Sequence, residues 1–179
     1  MVTVGELKTW LTATILFLVA LLLLPGCASI QQYQAEQARL QTLTNRITAH
    51  YHVASISVRL TAAPHGQFFC AERATALPSG ASDFLVAHEA GHGVLGACSE
   101  RLESELAANE FAIQAMRDVL GWSARGAADA AVQALISAQW SHRAVPGEHD
   151  FCAEAADVLT RHPEATVTLG SACVAAAAK

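Results

Sequence analysis

At 179 residues the chain accommodates one globular domain once any targeting segment is removed, and a formal net charge of −5 with only 11 Lys and Arg excludes the basic footprint of a nucleic-acid-binding protein. The 53% apolar fraction is carried largely by alanine and by the amino terminus, so it does not describe a multi-span membrane protein. Nothing in the pattern specifies an oligomeric state.

Residues 11–24 form an apolar run of signal-peptide length, shorter than a comfortable membrane span, ending in Leu24-Pro25-Gly26-Cys27. That tetrapeptide resembles a bacterial lipobox. The resemblance implies that residues 1–26 are a signal peptide and that Cys27 is lipidated and becomes the first residue of the mature chain. It also implies a membrane-anchored protein of the cell envelope facing the periplasm. Ala28 and Ser29, in place of an aspartate, resemble lipoproteins sent on to an outer membrane. Two features depart from the pattern: Pro25 within the box, and Lys8 as the sole positive side chain ahead of the apolar run. They leave an uncleaved amino-terminal anchor as the alternative.

Residues 27–50 read as a lipid-attached linker and lead-in helix, with Tyr33, Leu40, Leu43 and Ile47 giving a helical stripe that packs on the domain at 51–179. Between residues 53 and 61, Ile56, Val58 and Leu60 alternate with polar residues, the period of a half-buried strand. Pro64-His65-Gly66 turns the chain, residues 67–71 read as a second strand, and residues 74–77 as a third. His65 reads as a solvent-exposed turn residue. A loop over residues 78–82 ends at Ser82, a suitable N-cap for a helix over 84–95 that Gly96 stops.

That helix carries His88-Glu89-Ala90-Gly91-His92. Residues i and i+4 share a helix face one turn apart, so His88 and His92 can aim two imidazole nitrogens at one metal ion. Glu89, rotated by roughly 100° from His88, stands beside them and can take a proton from water. Downstream, Glu105-Leu106-Ala107-Ala108-Asn109-Glu110-Phe111-Ala112 begins a second helix, expected to be capped by Ser104 and to run to Leu120. Glu105 and Asn109 share a face, and Ala108 and Ala112 are small enough for close helix approach. Glu105 can therefore supply a third ligand and Asn109 can hydrogen-bond a ligand histidine.

His-Glu-x-x-His followed by Glu-x-x-Ala-Asn-x-x-Ala resembles the gluzincin zinc metallopeptidases, especially the CAAX-endopeptidase and heat-shock-protease branch and the compact minigluzincins. The metalloproteases that cleave phage-type repressors have a similar Ala-Asn-x-Phe-Ala helix, although an export signal does not suit that role. The resemblance covers residues 53–120 and implies one zinc ion per chain on His88, His92 and Glu105, Glu89 as general base, and a peptide or protein substrate. It further implies an edge strand that holds extended substrate by backbone pairing. The interval from His92 to Glu105 is short for this clan, which keeps Glu103 and Glu110 as alternative ligands. The expected fold is α+β: a small antiparallel sheet on a mostly helical, zincin-like domain, with the zinc between the two motif helices.

Beyond the motif, residues 123–140 read as an alanine-rich helix with Val132, Leu135, Ile136 and Trp140 on one side. A loop follows, then a helix capped by Asp150 that carries Phe151, Ala155, Val158 and Leu159. Gluzincins often place a further histidine where it stabilises the oxyanion. By that resemblance His149 is the candidate catalytic residue, ahead of His142. Cys70, Cys98, Cys152 and Cys173 suit two disulfides in an exported chain; three pairings are open, and nearest-neighbour pairing is the expectation. No phosphate-binding glycine loop or nucleophile elbow is present. The alternative to a zinc endopeptidase is a non-catalytic envelope lipoprotein that keeps zinc, or only the helix pair, as a structural clamp.

Overall fold

The computed structural model describes residues 29–99, 101–141, 150–170 and 173, with side chains of 139–141 excepted. The apolar run, Cys27, His142 and His149 lie outside the described residues. The chain divides into two compact units, Met1–Glu36 and Gln37–Lys179. In the first, residues 29–36 are helical. The second holds every other described element, and among the described residues no helix is long and apolar enough to cross a membrane.

Helix α1 (residues 29–50) enters the second unit at Gln37 and buries Leu40, Leu43 and Ile47 in its core. Three short strands follow: β1 (Ser57–Thr61), β2 (Gln67–Phe69) and β3 (Ala74–Pro78). Their order in the sheet is β1-β3-β2. β2 pairs antiparallel with β3, but β1 pairs parallel with β3, so the sheet is mixed and not the purely antiparallel one expected. Parallel neighbours need a crossover of about a dozen residues. Here residues 62–73 are that crossover, and β2 lies within it.

β1 is alternately buried, with Ile56 just before it and Val58 facing the core, as the period-two pattern requires. Its outer edge is taken by glutamines of α1. Gln41 Nε2 donates to Ile56 O at 2.8 Å while Gln41 Oε1 accepts from Val58 N at 2.8 Å, and Gln37 Nε2 donates to Val58 O at 3.2 Å. The carboxamides thus stand in for a neighbouring strand, which satisfies edge groups that would otherwise invite pairing.

Four helices complete the unit: α2 (Asp83–Leu95), α3 (Leu102–Asp118), α4 (Ala124–Ser141) and α5 (Phe151–Arg161). Ser82 caps α2 by accepting from Leu85 N at 3.2 Å, and Asp150 caps α5 by accepting from Ala153 N at 3.0 Å, both as the sequence leads one to expect. Ser104 does not cap α3. That helix starts earlier, from Arg101, and the Ser104 hydroxyl instead bonds the Ser99 hydroxyl at 2.7 Å. Its first turn is closed by Ser104 N and Glu105 N on Arg101 O.

Two glycines let α2 sit between the sheet and α3. A Cβ on Gly93 would lie 2.5 Å from Ile56 Cδ1 and 2.8 Å from Phe68 Cζ; one on Gly91 would lie 2.8 Å from the Phe111 ring and 3.4 Å from Ala108 O. The core around them joins Val58, Leu77, Phe84 and Val86 to Ile113, Met116, Val132 and Val158. The described cysteines pair as expected, Cys70 with Cys98 and Cys152 with Cys173, with Cα–Cα separations of 5.8 and 5.1 Å. Closing loops of 28 and 21 residues contributes on the order of 3 kcal/mol each in the chain-entropy account.

Candidate metal centre

His88 and His92 project from one face of α2 toward α3, and Glu105 comes from the first turn of α3 to meet them. All three are buried, with 7%, 8% and 3% of their surface exposed. His88 Nε2 and His92 Nε2 are 3.2 Å apart, and Glu105 Oε2 lies 3.2 Å from the first and 3.4 Å from the second. A tetrahedral ion bound at about 2.0–2.1 Å by nitrogen and oxygen holds its donors about 3.3 Å from one another. The donor set and its spacing therefore fit a metal ion between the two motif helices. The two alternative carboxylates are elsewhere: Glu103 is exposed, and Glu110 pairs with buried His162 at 3.0 Å.

The far nitrogens of the two imidazoles are held as well. Gly96 caps α2 in the left-handed conformation, φ 66°, which glycine adopts without a Cβ penalty. The turn brings Ala97 O to 3.0 Å from His92 Nδ1. A carbonyl only accepts, so Nδ1 keeps its proton, and Nε2 is the nitrogen that faces Glu105 and, once unprotonated, can bind an ion. His88 Nδ1 lies 2.8 Å from Asn109 Oδ1, as the Glu-x-x-Ala-Asn spacing suggests. Asn109 Nδ2 in turn donates to Glu154 Oε2 at 2.8 Å.

Charge at the cluster prepares Glu105 as a ligand and leaves an incoming ion to compete with a proton at His92. Burial opposes ionisation of Glu105, but hydrogen bonds from His88 and His92, and then their charges, outweigh it and lower its pKa to about 2. The carboxylate is thus in the ligand form at neutral pH. Burial disfavours a charged His92, yet the hydrogen bond to Glu105, the negative charges of Glu105 and Glu89, and the Ala97 carbonyl together raise its pKa.

Glu89 is buried beside the cluster, near enough for its charge to act on His92. Gly66, the residue before β2, passes directly against it: a Cβ there would lie 2.7 Å from Glu89 Cγ and 2.8 Å from Cδ. A disulfide joins Cys70, just after β2, to Cys98, just after α2. His65 is exposed at the turn, as expected, and takes no place in the cluster.

The sequence reading missed Glu154. Its signal was present: Glu154 sits on α5 between Phe151 and Val158 at i+3 and i+4 spacing, so an acidic residue interrupts an apolar face. A carboxylate so placed is buried and must be engaged by a polar partner. Comparison with family models, curated proteins and solved structures returns no match to this chain.

Proposed function

We propose that the protein is a zinc-dependent endopeptidase of gluzincin type, carried on a lipid anchor at Cys27 in the bacterial cell envelope. The observation that carries this reading is the triangle of donor atoms on His88, His92 and Glu105, 3.2–3.4 Å on each side, with Glu89 next to it. Three protein donors of this kind leave a tetrahedral ion one position for water, the arrangement of catalytic sites. Zinc bound there supplies Lewis acidity toward a peptide carbonyl and lowers the pKa of water.

The protein's own groups do the rest. Glu89 takes the proton from the attacking water and passes it to the leaving amine. Its buried position keeps bulk water from competing for that proton. Burial also strengthens its interaction with neighbouring charges. His149 is assigned to the oxyanion by resemblance alone. Extended substrate is assigned to β2. β2 is an outer strand of the sheet, it directly follows Gly66, which lies against Glu89, and the opposite outer strand, β1, has its edge engaged by Gln37 and Gln41. The two disulfides suit an oxidising compartment such as the periplasm.

Peptide-library cleavage by the parent and by Glu89→Gln tests the reading. The expected result is cleavage by the zinc-loaded parent and a loss of turnover of roughly 10²–10⁴-fold in the variant, with zinc retained. Zinc retention without cleavage by the parent would instead favour a non-catalytic zinc lipoprotein.

A further inference from the structure

We infer that Glu154 is a positioning residue for the metal site: acting through Asn109, it decides which nitrogen of His88 carries the proton. Asn109 Nδ2 donates to Glu154 Oε2 at 2.8 Å, and that acceptor selects the NH₂ end of the Asn109 side chain. That selection turns Oδ1 toward His88, 2.8 Å from Nδ1. An amide oxygen also only accepts, so Nδ1 of His88 keeps a proton, and Nε2, which faces Glu105 and His92, is the nitrogen left to bind an ion. Without the carboxylate the amide has no reason to prefer that orientation. A flipped Asn109 would present NH₂ to His88, draw the proton to Nε2 and aim an N–H into the space the metal needs.

The relay is built from distant parts of the chain. Asn109 is 1% exposed and Glu154 1% exposed, and 45 residues separate them. α5 is held just ahead of Glu154, by the Asp150 cap and by the Cys152–Cys173 disulfide. His92 keeps its Nδ1 proton on the Ala97 carbonyl, so the two ligand histidines are set by different means: a backbone group for one, a buried carboxyl group acting through an amide for the other.

This inference deepens the metal-site reading and depends on it for its consequence, but its first readout does not. Histidine protonation in the metal-free full chain is read by long-range ¹⁵N–¹H NMR, and zinc affinity by competition titration, for the parent, for Glu154→Met, which keeps the length but offers Asn109 no oxygen acceptor, and for the double variant Glu154→Gln with Asn109→Asp. The parent is expected to show His88 protonated at Nδ1. In Glu154→Met the Nδ1 proton shifts toward Nε2, and zinc binding weakens roughly 10–100-fold. The double variant restores both, because the carboxylate introduced at position 109 accepts directly from Nδ1 and the amide introduced at position 154 can donate to that carboxylate. A purely structural Glu154 would lower the melting temperature of Glu154→Met and leave the His88 protonation pattern and zinc affinity unchanged, and that result overturns the inference. So does a parent whose His88 carries no proton on Nδ1, or a double variant that fails to restore one. A parent with the expected tautomer but no zinc binding would overturn the proposed function and leave the role of Glu154 in setting the tautomer standing.

Discussion

At Gly66 the backbone passes so close to the Glu89 carboxyl that even a methyl group has no room, with Cγ and Cδ 2.7 and 2.8 Å from where it would stand. Glu89 is itself buried, so an added methyl displaces the carboxylate. Gly66→Ala is therefore expected to lower turnover by on the order of 10²-fold, the cost of misplacing a reacting group by about an ångström, while zinc content stays at the parent level. Steady-state kinetics beside metal analysis checks this; unchanged turnover contradicts a proton-transfer role for Glu89. Gly66 also marks a limit of reading residues from sequence. Pro64-His65-Gly66 announced a turn, and it is one, but the second reason for glycine lies across the fold at Glu89. By contrast His88, His92, Glu105 and Asn109 were legible, because helix periodicity alone determines which of them share a face.

At the scale of elements, caps and strands follow local chemistry, and pairing does not. Ser82 and Asp150 sit where a short polar side chain must meet open N–H groups, whereas Ser104 was drawn to Ser99 and lost the cap to Arg101. The parallel pairing of β1 with β3 depends on a crossover, which no strand's own residues encode. α4 shows how an element is tied to the carboxyl-terminal segment. Asp129 accepts from Thr166 N at 2.6 Å, Val167 N at 3.0 Å and Thr166 Oγ1 at 2.9 Å. The backbone donors of Val167 and Thr166 lower its pKa in the folded protein. A carboxyl with a depressed folded pKa adds stability above its unfolded pKa and loses it as pH falls through the folded value. Asp129→Asn should thus be less stable than the parent near neutral pH, with the gap closing in acid. Thermal unfolding across the acid range measures this, and a gap that stays constant with pH contradicts it.

For the whole molecule, His92, His88 and Glu89 are each fixed by a part of the chain beyond the ends of their own helix. His92 is set by the turn after Gly96, His88 by Asn109 and through it by α5, Glu89 by the approach of Gly66. Such support is what keeps a metal site's donors in ligand geometry before the ion arrives. The α+β class and the helix pair were legible from periodicity and spacing. The contribution of α5 was not, because it rests on a buried contact spanning 45 residues. The proposed function stands on one zinc ion held by His88, His92 and Glu105. Elemental analysis of the purified full chain beside Glu105→Ala measures it. About one zinc per parent chain and clear loss in the variant are expected. A well-folded parent that holds no zinc, even after incubation with the metal, would contradict it.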